Sequence, residues 1–478
     1  MKYETVIGLE VHLQLSTKTK AFCGCVIDFG KAPNSCVCPV CLGFPGALPV
    51  YNKKALDSAI KVALAFNCQI QEHTKFDRKN YFYPDLPKNY QISQYDLPLS
   101  RNGHLDIYSG NKPKRIGITR IHLEEDAGKL IHEADFSLVD FNRTGIPLLE
   151  IVSEPDLSSP QEAFDYLANL KAIIEYLDVS DCDMEKGSLR CDANISLRPE
   201  GAKELGVKTE LKNMNSFKGV KDALSFEVER QAGLLNNKEG IIQDTRLWDA
   251  GKGVTVSMRS KEGAKDYRYF PDPDLAVFII NRQMVARLKA ELPELPGEKA
   301  QRFMRDYSLS EYDAKILVSS RKFADYAEEC MKIFTDPNKK PVANWLIGPF
   351  VSVLSNFPGG IKPGYISSRN FVELVELVEK KQIISNLTGK AVLEDMFATG
   401  KTAPALISEK NLAQISDTGS LDIIAQEVIK ENPKSAGDYK SGKENALMFL
   451  VGQVMKKSSG KANPKVVGEL LRRRLTDA

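Results

Sequence analysis

The chain has 478 residues, 42% of them hydrophobic and 27% charged, with Lys+Arg 65 against Asp+Glu 63 for a formal net charge of +2. At roughly 100–200 residues per domain this length predicts two to four domains, and the composition excludes a disordered or fibrous chain. A charge so near zero excludes a uniformly basic nucleic-acid binder, and the absence of any run near ~18 apolar residues or of a signal-peptide core predicts a cytosolic protein with no membrane association.

The fold class expected is α+β, because residues 1–292 read mainly as strands and turns interrupted by isolated helices. In TVIGLEVHLQL the apolar Ile7, Leu9, Val11, Leu13 and Leu15 alternate with Glu10, His12 and Gln14. That period of two puts a carboxylate and an imidazole on one strand face, where they can share a metal. The competing reading is a solvated strand face.

Five of the nine cysteines crowd into FCGCVIDFGKAPNSCVCPVC. Cys23 and Cys25 form a CxC pair and Cys38 and Cys41 a CxxC pair, which can close a tetrahedral thiolate site around a structural zinc. Cys36 is a fifth candidate, and Cys38 is preferred because only it makes a tight CPVC knuckle with Cys41.

The stretch DRKNYFYPDLPKNYQISQYD gathers Arg78, Lys79, Lys88 and several tyrosines among prolines, suited to a nucleic-acid end or an anionic intermediate. Acids then recur in or beside apolar strands: Glu124, Glu125 and Asp126 in HLEEDAGK, and Glu150 and Glu154 in GIPLLEIVSEPD. Glu150, flanked by Leu148, Leu149, Ile151 and Val152, is in an unusual setting for an idle surface acid. DLSSPQEAFDYLANLKAIIEYLDV predicts a helix capped by Ser159 with Pro160 at its first position. RCDANIS repeats the strand alternation with Arg190, Asp192, Asn194 and Ser196 on one face, and GVTVSMRS reads as a further strand.

Near LPELPGEKAQRF the pattern turns helical, which predicts a boundary after residue 292 and an all-helical domain over 293–406. SRNFVELVELVEKKQ carries Phe371, Leu374, Val375 and Val378 on one face, and Gly400 marks a helix end. A second boundary precedes a tail domain, 407–478, that ends in two helices. Residues 433–478 hold ten Lys/Arg against four Asp/Glu, an imbalance suited to phosphate contacts on a folded RNA.

Acids packed on one sheet face repel by on the order of 4 kcal/mol per close pair at an effective dielectric near 20, which divalent cations relieve. Oxygen ligands with few histidines suit Mg²⁺, and Mg²⁺ commonly accompanies phosphates. The sequence has no Walker A, since GKT at residues 400–402 follows Asp395 where a glycine is required. It has no GxSxG or GxGxxG either. The leading alternative is an RNA-binding zinc adaptor without catalysis, against which the acids at Glu150 and Asp192 speak. A second, a stand-alone ATP-dependent ligase, is disfavoured because the sequence has neither a nucleophilic Cys/His set nor an amidase Ser/Lys signature.

Taken together, IGLEVHLQL, FCGC with PNSCVCPVCLGFPGALPVYN, DRKNYFYPDLPKNYQISQ, RIHLEEDAGKLIH, DFNRTGIPLLEIVSEPD, LRCDANIS, ELKNMNSF, TRLWD and GQVMKKSSGKANPKVV resemble the B-subunit family of the glutamyl-tRNA(Gln)/aspartyl-tRNA(Asn) amidotransferases, over nearly the whole chain. The resemblance implies an antiparallel-sheet catalytic domain similar to the glutamine synthetase and guanido kinase fold, with ATP, Mg²⁺ and Zn²⁺ as cofactors. It implies a heterotrimer with an amidase (glutaminase) partner and a small third partner, acting on misacylated Glu-tRNA(Gln) and/or Asp-tRNA(Asn). Carried over residue by residue, it implies magnesium ligands at Glu10, His12, Glu125 and Glu150, and nucleotide contacts at Arg190, Asp192, Asn194 and Glu210. Lys79 and Lys88 would join Glu125 and Glu150 in the chemistry, along the ammonia path or near an acyl phosphate.

Overall fold

A computed structural model describes residues 2–109, 112–258, 267–356, 366–414, 418–458 and 461–476. It divides into two compact units, Met1–Leu295 and Pro296–Ala478. Of the strand read over GVTVSMRS, Val254–Ser257 is strand; Arg259 and Ser260 lie outside the described residues, as do Ser459 and Gly460 of the tail motif.

The first unit is built on a nine-stranded sheet. Its strands are β1 (Tyr3–Gln14), β2 (Gln69–Ile70), β3 (Ser100–Ser109), β4 (Lys112–Glu125), β5 (Pro147–Ser153), β6 (Leu189–Pro199), β7 (Thr209–Met214), β8 (Asp244–Asp249) and β9 (Val254–Ser257). In space they run β9-β8-β7-β6-β1-β5-β4-β3-β2. Every pairing is antiparallel except β7 with β8. The long amino-terminal strand is thus central, flanked by the two acid-bearing strands β5 and β6.

Alternation decides which face is covered. Ile7, Leu9, Val11 and Leu13 of β1 join Ile121 and Leu123 of β4, Leu149 and Ile151 of β5, and Cys191, Ala193 and Ile195 of β6 in one core. Helices α1 (Lys53–Ala65), α2 (Pro160–Leu177) and α3 (Phe217–Asn236) supply Ile60, Leu167, Leu170 and Leu224 to the same core. Each such aliphatic side chain withdrawn from water contributes roughly 1.5–3 kcal/mol. Ser159 caps α2 by accepting the Glu162 amide, with Pro160 opening the helix. The helices lie on the apolar face, so the polar alternates of β1, β4, β5 and β6 share the other.

Among its described residues the second unit is wholly helical. Phe371, Leu374, Val375 and Val378 of Ser368–Glu379 are buried together, and Gly400, at φ +72, closes the helix Asn386–Thr399 in the left-handed conformation that favours glycine. At the carboxyl end, Leu421, Leu450, Val454, Val467 and Leu471 form a separate core. Asn463 caps the last helix, accepting the amides of Lys465 and Val466. Part of the tail's positive charge is neutralised locally: Lys457 pairs with Glu427 and Glu431, and Arg474 with Asp422.

Candidate functional site

The register of the central strands sets one transverse row of side chains. His12 lies opposite Glu150 on β5 and Arg190 on β6, and Glu150 lies opposite His122 on β4. The row therefore reads His122, Glu150, His12, Arg190. Glu124, two residues beyond His122, reaches the same place. His12 Nε2 is 3.5 Å from Glu124 Oε1 and 3.6 Å from Glu150 Oε2, while His122 Nε2 is 3.1 Å from Glu150 Oε2. One donor atom each from His12, Glu124 and Glu150 lie within 4.8 Å of one another. Glu124 is fixed further by Gln91 Nε2 at 3.1 Å and Ser93 Oγ at 3.3 Å.

The next row holds Glu10 opposite Asp192. Asn194 Nδ2 donates to Glu10 Oε1 at 3.0 Å, and Lys212 bridges Asp192 at 2.5 Å and Glu210 at 3.0 Å. Arg190 turns to Asp126 at 3.0 Å, which also accepts from Gln14 at 2.7 Å. Asp192, Asn194 and Glu210 are thus gathered beside Glu10, while Arg190 serves the acid that follows β4.

The electrostatics are those of crowded, half-buried anions. Burial, then the charges of Glu150, Asp192 and Glu210, push the Glu10 carboxyl above its usual range. Burial works against the His12 imidazolium, but its hydrogen bond to Glu150 and the charges of Glu124 and Glu150 outweigh that and raise it. Burial likewise opposes ionisation of Glu150, yet the two imidazoles hold it below the carboxylate range. His122 Nδ1 is buried without a hydrogen-bond partner, which suits a ring carrying its proton on Nε2 and donating it to Glu150. Two carboxylates and an imidazole converging in this way fit a divalent cation, with His122 orienting one of the ligands.

Glu125 has the opposite parity to Glu124 and leaves this row. Its carboxylate pairs with the Lys88 ammonium and accepts the Ile92 amide at 2.9 Å. The structure thus brings His12 and Glu150 together with Glu124, and sets Glu125 with Lys88. Lys79, on the strand Asp77–Asn80, lies over the Tyr267 ring at 4.8 Å. Reading by residue type passed over His122 and Lys212. The alternation Ile121-His122-Leu123-Glu124 already placed His122 and Glu124 on one polar face, whereas nothing local marked Lys212.

The cysteine knuckles form a second constellation. The Sγ atoms of Cys23, Cys25, Cys38 and Cys41 lie within 4.8 Å of one another, and those of Cys38 and Cys41 are 3.9 Å apart. Tetrahedral zinc at about 2.3 Å from each sulfur needs sulfurs roughly 3.8 Å apart, so the set fits. Cys36 is buried and is not among these four, its Sγ lying 4.0 Å from Ser35 Oγ. A hydrogen bond from Cys23, with help from the Cys38 amide and the charge of Lys20, lowers the Cys41 thiol to about 4. Burial raises Cys25 to about 11.

Comparison with known proteins adds the family. A family model of the GatB/GatE catalytic domain matches residues 5–286, and one of the GatB domain matches residues 325–475. Proteins named as the B subunit of aspartyl/glutamyl-tRNA(Asn/Gln) amidotransferase from Carboxydothermus hydrogenoformans and Caldanaerobacter subterraneus are each 54% identical, over 99% and 100% of both chains respectively. One from Moorella thermoacetica is 52% identical over 99% of this chain and all of its own. The chain belongs to the B-subunit family of these amidotransferases. Both the carboxylate–histidine cluster and the four-cysteine cluster lie within the span matched by that family's catalytic domain.

Proposed function

We propose that this chain is the component of a tRNA-dependent amidotransferase that activates and amidates the side-chain carboxylate of Glu-tRNA(Gln) and/or Asp-tRNA(Asn), giving Gln-tRNA(Gln) or Asn-tRNA(Asn). The observation that carries the reading is the convergence of His12, Glu124 and Glu150 on the acid-lined sheet face of a chain of this family.

A carboxylate is a poor acyl donor. Transfer of the ATP γ-phosphoryl group to its oxygen makes an acyl phosphate and ADP; ammonia then attacks the carbonyl carbon, and the C–O bond to phosphate breaks as phosphate leaves. His12, Glu124 and Glu150 would hold Mg²⁺, which supplies charge stabilisation to the transferring phosphoryl group. Glu10 and Asp192 extend the acidic face, with Asn194 and Glu210 beside the nucleotide. Lys212, held by Asp192 and Glu210, places a cation at the edge of that face. Lys88 with Glu125, and separately Lys79 beside Tyr267, would serve the approach of ammonia or the reacting carboxyl group. The four cysteines would hold one Zn²⁺ with no open position, a structural role.

The catalytic sheet, mainly antiparallel with one polar face, accords with a likeness to the glutamine synthetase and guanido kinase fold. The second unit is read as a helical domain up to residue 406 and a tRNA-binding tail from 407. Ammonia would come from an amidase (glutaminase) partner, with a small third partner completing the heterotrimer. The isolated chain should lack glutaminase activity, and ammonium at high concentration should partly replace the amidase.

The test is to incubate the complex with ATP and Glu-tRNA(Gln), omit glutamine, and trap the activated carboxyl with hydroxylamine. Hydroxamate on the tRNA with matching ADP is expected. Intact tRNA carboxylate in a complex whose glutaminase is active would overturn the assignment.

A further inference from the structure

Lys20 is 0% exposed, an unusual position for an ammonium. Its Nζ has two partners, the Phe141 carbonyl oxygen at 3.2 Å and Cys41 Sγ at 3.7 Å. Among the described residues no carboxylate is paired with it. The surrounding backbone holds it in place: the Lys20 amide donates to the Cys25 carbonyl at 3.0 Å, and the Ala21 amide to the Gly145 carbonyl at 2.7 Å. A Cβ built on Gly145, at φ +81, would be in ordinary van der Waals contact with Lys20 Cδ at 3.6 Å, Glu125 Oε2 at 3.7 Å and Cys41 Cβ at 3.8 Å. A carboxylate, that of Glu125, therefore lies close by, but it is paired with Lys88 and not with Lys20. Lys20 is therefore enclosed between the CxC and CxxC segments, with its charge directed at one sulfur.

A buried ammonium without a counter-charge is strongly unfavourable. Four thiolates around Zn²⁺ leave two negative charges in excess, and those charges lie where Lys20 points. We propose that Lys20 is the built-in counter-ion of the four-cysteine centre, its ammonium held between the Phe141 carbonyl and Cys41 Sγ so that it stabilises the zinc-loaded thiolates. The inference rests on the zinc reading above. It makes the lysine and the metal mutually dependent, because removing either leaves the other's charge without compensation.

The test uses the full chain as wild type, Lys20→Met, and Lys20→Gln, each also in a Cys38→His background. Zinc affinity is measured by competition with a chromogenic chelator, and thermal unfolding is followed with stoichiometric zinc and with EDTA. Lys20→Met should lower zinc affinity roughly ten- to hundredfold, the range of a hydrogen bond to a charged group. It should also narrow the gap between zinc-loaded and metal-free melting temperatures. In the Cys38→His background, where the loaded site carries one negative charge fewer, the same substitution should cost less affinity. A lysine that only fills space would lower both melting temperatures equally and leave zinc affinity unchanged, and that result overturns the inference. Should Lys20→Met fail to fold, Lys20→Gln keeps most of the length and a donor for Phe141 but no charge, and is judged by the same criteria. A wild-type chain that binds no zinc overturns the zinc reading and this inference with it, whereas zinc bound equally by all Lys20 variants overturns this inference alone.

Discussion

His12 and Glu150 face each other directly across the ladder between β1 and β5, with Nε2 3.6 Å from Oε2. Because both stand on central strands whose other faces are buried, neither can withdraw from the anions around it without disturbing the core. Such a cluster is held in place by the fold and relieved by a cation, which leads to the first expectation.

Glu150→Ala should lower tRNA-dependent ATP hydrolysis and amidation roughly a hundredfold or more, as loss of a ligand from a site of this kind does. Glu124→Ala should behave likewise. Circular dichroism should show the chain still folded. Normal turnover by the Glu150 variant would place the chemistry elsewhere.

His122 acts one step back, orienting Glu150. His122→Ala should weaken Mn²⁺ or Mg²⁺ binding by about 10–100-fold, with activity recovered at high metal concentration. Titration calorimetry on wild type and variant checks it, and unchanged affinity would reduce His122 to packing.

Glu10 gives a pH-dependent stability effect of known sign. Its folded-state pKa is raised above 4.5 by burial and by like charges, so between the unfolded and folded values the native state binds more protons than the unfolded one. Native stability therefore falls as pH rises through that window, and the penalty is complete above it. Metal-free Glu10→Gln should melt higher than wild type at neutral pH, and the advantage should disappear as pH falls below about 4.5. A variant less stable than wild type in EDTA at pH 7 would contradict this account.

For the cysteines, Cys38→Ser should lose bound zinc while Cys36→Ser retains one equivalent, because Cys36 Sγ is not among the four sulfurs that cluster. Metal analysis of the purified variants decides. The reverse pattern would require a different ligand set.

Deleting residues 407–478 should raise the KM for tRNA and flatten the salt dependence of binding, while glutamine hydrolysis by the partner persists. The slope change should be smaller than the tail's full excess of positive charge, since Lys457 and Arg474 already have carboxylate partners. Filter binding across a salt series measures both. Equal affinities and slopes would leave the tail without a role in tRNA binding.

What the sequence determined by itself was local in origin. A period of two in TVIGLEVHLQL separated the apolar and polar faces of β1, and Ser159 with Pro160 marked the start of α2. The CxC and CxxC spacings singled out four of five neighbouring cysteines, because chelation by short knuckles depends on few intervening residues. Tertiary structure decided what depends on partners distant in the chain. Alternation alone sets the adjacent and chemically alike Glu124 and Glu125 on opposite faces, but only the register that sets Glu150 opposite His122 brings His12 to Glu124, and only the fold brings Lys88 to Glu125. Lys20 reads as an ordinary surface lysine until Cys41, Phe141 and Gly145 are folded around it. Strand parity is a property of each segment, whereas register and burial arise only when segments pack.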